Sequence, residues 1–77
     1  MKKSSQSDLY KRLTRALREA RAASGQTQTE VAKKLGKPQS FVAKYEQGER
    51  RVDVAELVEI SRALQTDPTK LLKRVLG

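Results

Sequence analysis

The chain contains no cysteine, no histidine and no tryptophan, and only two prolines, in 77 residues. Without cysteine or histidine there is neither a disulfide framework nor a Cys/His zinc site to brace so small a domain. The same absences remove the residues most often used as nucleophile and general base, and the nine carboxylates are scattered, several of them at helix-capping positions. No enzyme, no metal site and no cofactor are therefore expected. A small-molecule ligand is not expected either. No run of 18 apolar residues occurs, and Met1 to Ser7 is polar, so neither a membrane span nor a signal peptide is read here and a cytoplasmic protein is expected.

What is present is positive charge. Seventeen Lys and Arg against nine Asp and Glu leave +8 at neutral pH, a balance suited to a polyanionic partner. Nucleic acid and an anionic membrane surface are the candidates. The second fits poorly, because the one strongly basic amphipathic segment has an alanine-rich apolar face and Tyr10 as its sole aromatic anchor. Folding such a short chain buries only about 60–65% of its unfolded surface. Stability must therefore come from well-formed helix packing, from self-association, or from both.

Period-two alternation is absent, and punctuation divides the chain into five helical segments, an all-α domain over residues 7–77 behind a polar tail, residues 1–6, expected to be disordered. Helix 1 begins at Ser7 or Asp8 and runs to about Ala23, with Leu9, Leu13, Ala16, Leu17 and Ala20 on its apolar face and Lys11, Arg12, Arg15 and Arg18 on the other. Helix 2 starts at Thr27, where Glu30 stands at capping-box spacing, and stops at Gly36. Helix 3 runs from about Pro38 to Gln47 and is ended by Gly48. Asp53 and Glu56 repeat the capping-box spacing at the start of helix 4, which ends near Leu64; Asp67-Pro68 opens helix 5, which reaches about Leu76.

Two short helices joined by a few residues containing glycine form a helix-turn-helix pattern. Ala32 is small where helix 3 must cross helix 2, and Gly36 stands where the turn needs a left-handed backbone. Helix 3 divides into two faces: Phe41, Val42 and Tyr45 on one, and Gln39, Ser40, Ala43, Lys44 and Gln47 on the other. The polar row suits a DNA major groove. Gln pairs with adenine, Ser donates or accepts, Lys donates to guanine, and the Ala methyl meets a thymine methyl.

The segments LREARAASGQTQTEVAKKLG, PQSFVAKYEQGERR and VAELVEISRAL followed by DPTKLL resemble the Xre / lambda-repressor-Cro (Cro/C1-type) family of helix-turn-helix regulators, from about Leu17 to Leu72. The resemblance implies a compact five-helix, lambda-repressor-like domain and a sequence-specific double-stranded DNA-binding transcriptional regulator, with helix 3 as recognition helix. It implies that Gln39, Ser40, Ala43 and Lys44 read bases. Gln28 would approach a phosphate with its backbone N–H while bracing Gln39. Thr29, Lys37, Arg50 and Arg51 would lie along the DNA backbone. It also implies a structural ion pair between Arg21 and Glu46. The chain departs from the family pattern at Pro38, where a Ser or Thr cap is common, and at Gln65, where a Gly often ends helix 4.

Helix 4 carries more apolar surface than one core face needs, since Val54 and Val58 widen the stripe of Leu57, Ile60 and Leu64. On helix 5, Leu72 and Leu76 point away from Leu71 and Val75. A homodimer through Val54, Val58, Leu72 and Leu76 is expected, reading a pseudo-palindromic operator. The alternative function is an antitoxin-type interaction module that also binds its own promoter. Association with the nucleoid would follow from DNA binding.

Overall fold

The computed structural model describes residues 7–77; the tail expected over residues 1–6, with Lys2 and Lys3, lies outside the described residues. Five helices occur there and no strand: α1 (Asp8–Ser24), α2 (Gln28–Leu35), α3 (Gln39–Glu46), α4 (Val54–Ala63) and α5 (Pro68–Leu76). None is long and apolar enough to cross a membrane.

Local chemistry sets most of the boundaries. Ser7 caps α1 by accepting from the Tyr10 N–H. At α2 the box is complete: Glu30 N–H donates to Thr27 Oγ1, and Thr27 N–H donates back to Glu30 Oε1. Asp53 and Glu56 repeat this at α4. Pro38 stands at the cap of α3 in an extended conformation and offers no side-chain cap, so the helix begins one residue later than expected. Gly36 takes φ +68, and Lys37 N–H then closes back on the Ala32 carbonyl, which turns the chain from α2 into α3.

The core gathers Leu17 of α1, Val31 and Ala32 of α2, Val42 and Tyr45 of α3, Ile60 and Leu64 of α4, and Leu71 and Val75 of α5, with Leu13, Leu35, Phe41 and Val52 at its margin. Ala32 is 2% exposed within the core, where a larger side chain would have to displace its neighbours. One expectation is corrected at the first turn of α1. Leu9 is 54% exposed and Tyr10 is buried instead, its hydroxyl donating to the Arg50 carbonyl at 3.0 Å. Leu9 lines an open apolar groove with Leu13 and with Leu72 and Leu76 of the C-terminal half of α5. The basic stripe of α1 is also less idle than a solvated face: Arg12 Nη1 reaches the Val75 carbonyl, and Arg18 Nη1 donates to the Glu46 carbonyl at 2.8 Å.

Beyond α4, Gln65 occupies the left-handed position that glycine usually fills, at φ +60. Gln65 N–H bonds the Arg62 carbonyl and Thr66 N–H the Ser61 carbonyl, the paired closure of a helix C-terminus. A side chain in this region costs about 1–2 kcal/mol, part of which glycine returns as chain entropy. Gln65→Gly should therefore stabilise the domain by about 0.5–1 kcal/mol. A thermal melt with Tm several degrees higher is the expected result; an unchanged or lower Tm rejects it.

Candidate nucleic-acid interface

The two-faced character of α3 persists in three dimensions. Val42, Tyr45 and Glu46 are buried, and Phe41 is half-buried with its ring edge-on to Tyr45, centroids 5.5 Å apart. Gln39, Ser40, Lys44 and Gln47 are exposed on the far side, with Ala43 half-buried between them. This outward row carries donors, acceptors and one cation, and has no carboxylate.

A chain of polar contacts runs to this face from the interior. Arg21 Nε donates to Glu46 Oε2 at 2.7 Å and Arg21 Nη2 to Oε1 at 3.2 Å, with the Glu46 side chain 3% exposed and that of Arg21 23%. Glu46 Oε1 accepts a further bond from Gln28 Nε2 at 2.9 Å. That contact turns the Gln28 amide oxygen towards α3, where it accepts from Gln39 Nε2 at 2.7 Å. The ion pair thus orients Gln28, and Gln28 orients Gln39. The guanidinium's bonds to Glu46 hold the Arg21 pKa up. Burial, and the Glu46 carboxylate beside it, push the Tyr45 phenol well above its usual range.

Around this row stand the residues expected on a DNA backbone. Thr29 at the start of α2 and Lys37 in the turn are exposed, with Lys37 Nζ 5.5 Å from the centre of the Phe41 ring. The start of α2, with its concentration of backbone N–H groups, favours an anion. Two arginines follow α3. Arg51 stacks over the Tyr10 ring at 4.6 Å. The Arg50 guanidinium lies 4.5 Å above the centre of Phe41 and takes both oxygens of Glu56, at 2.9 and 2.8 Å. The Arg50 bonds, with the Asp53 N–H, bring the Glu56 carboxyl down to about 2.

Sequence reasoning missed three supports of this region: Tyr10, Phe41 as an arginine platform, and Glu56 as more than a helix cap. Only the aromatic character of Tyr10 and Phe41 could have pointed to the stacking. Nothing in the spacing of Arg50 and Glu56 signals their pairing, because Arg50 lies in the irregular connection before α4. The residues expected at a dimer contact are distributed unevenly: Val54 and Leu76 are 79% and 71% exposed, Leu72 is 41% exposed and Val58 is half-buried. Among the described residues no group of three or more acidic side chains is placed to hold a metal ion.

Comparison with known proteins bears on this geometry. The helix-turn-helix family pattern matches residues 17–71. An XRE-family like protein from Pseudomonas syringae pv. tomato superposes with a TM-score of 0.84 at 48% identity, covering 88% of this chain and 83% of that one. The clp gene regulator ClgR from Corynebacterium glutamicum gives a TM-score of 0.82 at 28% identity, over 90% of each chain. The restriction-modification controller protein C.AhdI from Aeromonas hydrophila gives 0.74 at 34% identity, over 83% of this chain and 91% of that one. Among curated proteins no relative is found.

Proposed function

The chain belongs to the Xre, or Cro/C1-type, helix-turn-helix family of DNA-binding transcription regulators, and from that premise we propose that it reads the major groove with α3, as a homodimer on a pseudo-palindromic operator. It is a regulator and not an enzyme. The observation that carries the reading is the contact chain Arg21–Glu46–Gln28–Gln39. Gln39 spends one amide N–H on Gln28 and keeps the second, together with Oε1, for an external partner. A donor and an acceptor side by side match the N7 and N6 edge of adenine. Ser40 and Lys44 add an adaptable hydroxyl and a donor suited to guanine, and the Ala43 methyl suits thymine. Gln28, through its backbone, with Thr29, Lys37 and Arg51, fixes register on the phosphates, which sets position and carries no sequence information. Two relatives above 25% identity are themselves regulators, of a clp gene and of a restriction-modification system, which supports a role in gene control here.

The test is a fluorescence titration on the duplex that the wild-type chain enriches from a randomised pool, and on random DNA, at two salt concentrations. The selected duplex should bind roughly 10³-fold more tightly than random DNA. Gln39→Ala and Lys44→Ala should each remove about 1–3 kcal/mol of that preference. Arg51→Ala should weaken both duplexes alike and flatten the log–log salt slope by about 0.9. If Gln39→Ala and Lys44→Ala both leave the preference intact, α3 is not the reader.

A further inference from the structure

Arg50 follows the recognition helix in a strongly basic chain, and a phosphate contact is the ordinary expectation for it. Its surroundings assign it otherwise. The guanidinium is a bidentate partner of Glu56, donates a third bond to the Arg51 carbonyl at 2.7 Å, and lies over the ring of Phe41 of α3, 4.5 Å from its centre. Its charge is therefore matched by a carboxylate in direct contact. Glu56 is fixed in turn, because the same carboxylate accepts from the Asp53 N–H and closes the cap of α4. Phe41 meets Tyr45 edge-on, and Tyr45 is buried in the core. One unbroken series of contacts thus runs from the first turn of α4, through Arg50, to the inner side of α3. The connection between the two helices is held from both flanks: Glu49 and Arg50 N–H groups close on the Lys44 carbonyl, and the Tyr10 hydroxyl takes the Arg50 carbonyl.

We infer that Arg50 is a positioning residue for DNA recognition: the Glu56–Arg50–Phe41 stack sets the attitude of α3 and the path of the connection that carries Arg51, and Arg50 itself neutralises no phosphate. The inference rests on the reading of α3 as the recognition helix. A bidentate fork that also stacks on an aromatic ring is a task for arginine and not for lysine, whose ammonium is a point charge. Lysine at a phosphate contact, by contrast, still binds as a point charge and keeps the sequence-independent attraction.

Two variants separate the roles. Glu56→Gln leaves the cap of α4 intact, since glutamine also completes a capping box, and it removes the partner of Arg50 while raising the net charge. Arg50→Lys keeps the charge and loses the fork. The pair is partly solvated, so little stability rides on it, and both variants should fold by circular dichroism. On the selected duplex each should bind roughly three- to tenfold more weakly than wild type. On random DNA the Arg50→Lys variant should match wild type, and the salt slope of both should be unchanged.

The opposite outcome is equally legible. If Glu56→Gln binds both duplexes more tightly with a steeper salt slope, Arg50 is a phosphate ligand that Glu56 holds back, and the inference falls. It falls too if Arg50→Lys binds the selected duplex as wild type does. A wild-type chain that enriches no duplex at all overturns the functional reading first, and this inference with it, whereas reversed variants on an enriched duplex overturn this inference alone.

Discussion

Arg21→Ala should unfold much of this domain's margin of stability. Removing the guanidinium leaves Glu46 with its side chain 3% exposed and the Gln28 amide as its remaining side-chain partner. It also strips the Gln26 carbonyl of a donor. Breaking a buried pair by deleting one member typically costs 3–5 kcal/mol. The Arg21 side chain is 23% exposed, so the lower end, about 3 kcal/mol, is the appropriate figure here. For a domain of this size that lowers Tm by roughly 12–24 °C, and an unchanged melting temperature in a calorimetric scan would falsify the assignment. Replacing both members gives a sharper result. Arg21→Met with Glu46→Leu fills the space with apolar groups, and such exchanges are often neutral or stabilising. Stability should therefore return in the double variant. Specific DNA binding should not, because Gln28 has lost the acceptor that turns its oxygen towards Gln39. A double variant that recovers both properties would show that the pair holds the fold together and has no part in presenting Gln39.

The contrast between local and distant contacts explains what could be read from the sequence. Thr27 with Glu30, Asp53 with Glu56, and Asp67 with Pro68 announce three helix starts because a cap is completed within a few residues of itself. Gly36 announces the turn for the same reason, since its conformation is a property of one residue. The two faces of α3 follow from helical geometry alone. Tyr10 is different. Periodicity placed Leu9 on the buried face of α1, yet the burial of Tyr10 depends on a carbonyl 40 positions away. Nothing within α1 encodes the position of the connection after α3. The Arg50–Glu56 pair stays hidden for a related reason: in a chain of net charge +8, one more arginine just after α3 reads as a phosphate ligand. The carboxylate partner of Arg50 is spoken for as a helix cap, and only the folded arrangement shows that Glu56 serves both groups at once. The Arg21–Glu46 pair lies between these cases. Each residue sits at the edge of an apolar face, which hints at partial burial though Glu46 is fully buried, while the identity of the partner comes from family resemblance.

The largest effect on DNA binding should come from residues that touch no DNA. Leu76 and Leu72 of α5 are 71% and 41% exposed, Val54 of α4 is 79% exposed and Leu9 of α1 is 54% exposed. Leu72, Leu76 and Leu9 line one apolar groove, so the uncovered surface is wider than the α4 and α5 positions alone. Contiguous exposed apolar surface on so small a domain marks an association site. A twofold dimer formed there would set two recognition helices about 34 Å apart, one turn of the duplex. Joining two half-site readers raises apparent affinity by roughly 10²–10⁴ without any new contact to DNA. Leu72→Glu with Leu76→Glu should abolish that gain. Both side chains are exposed in the single chain, so the fold should survive, with stability changes of about 0.5 kcal/mol or less at each position. The variant should sediment as the 8.7 kDa chain at micromolar concentration, where the wild type should sediment at twice that mass. Its affinity for the selected duplex should fall by roughly 10² or more, and its affinity for random DNA only slightly, since that term depends on the basic field. A wild-type chain that sediments at 8.7 kDa under these conditions removes the dimer. A folded monomeric variant that retains full affinity would mean that one α3 helix, seated by Gln28 and Arg51, reads the whole site by itself.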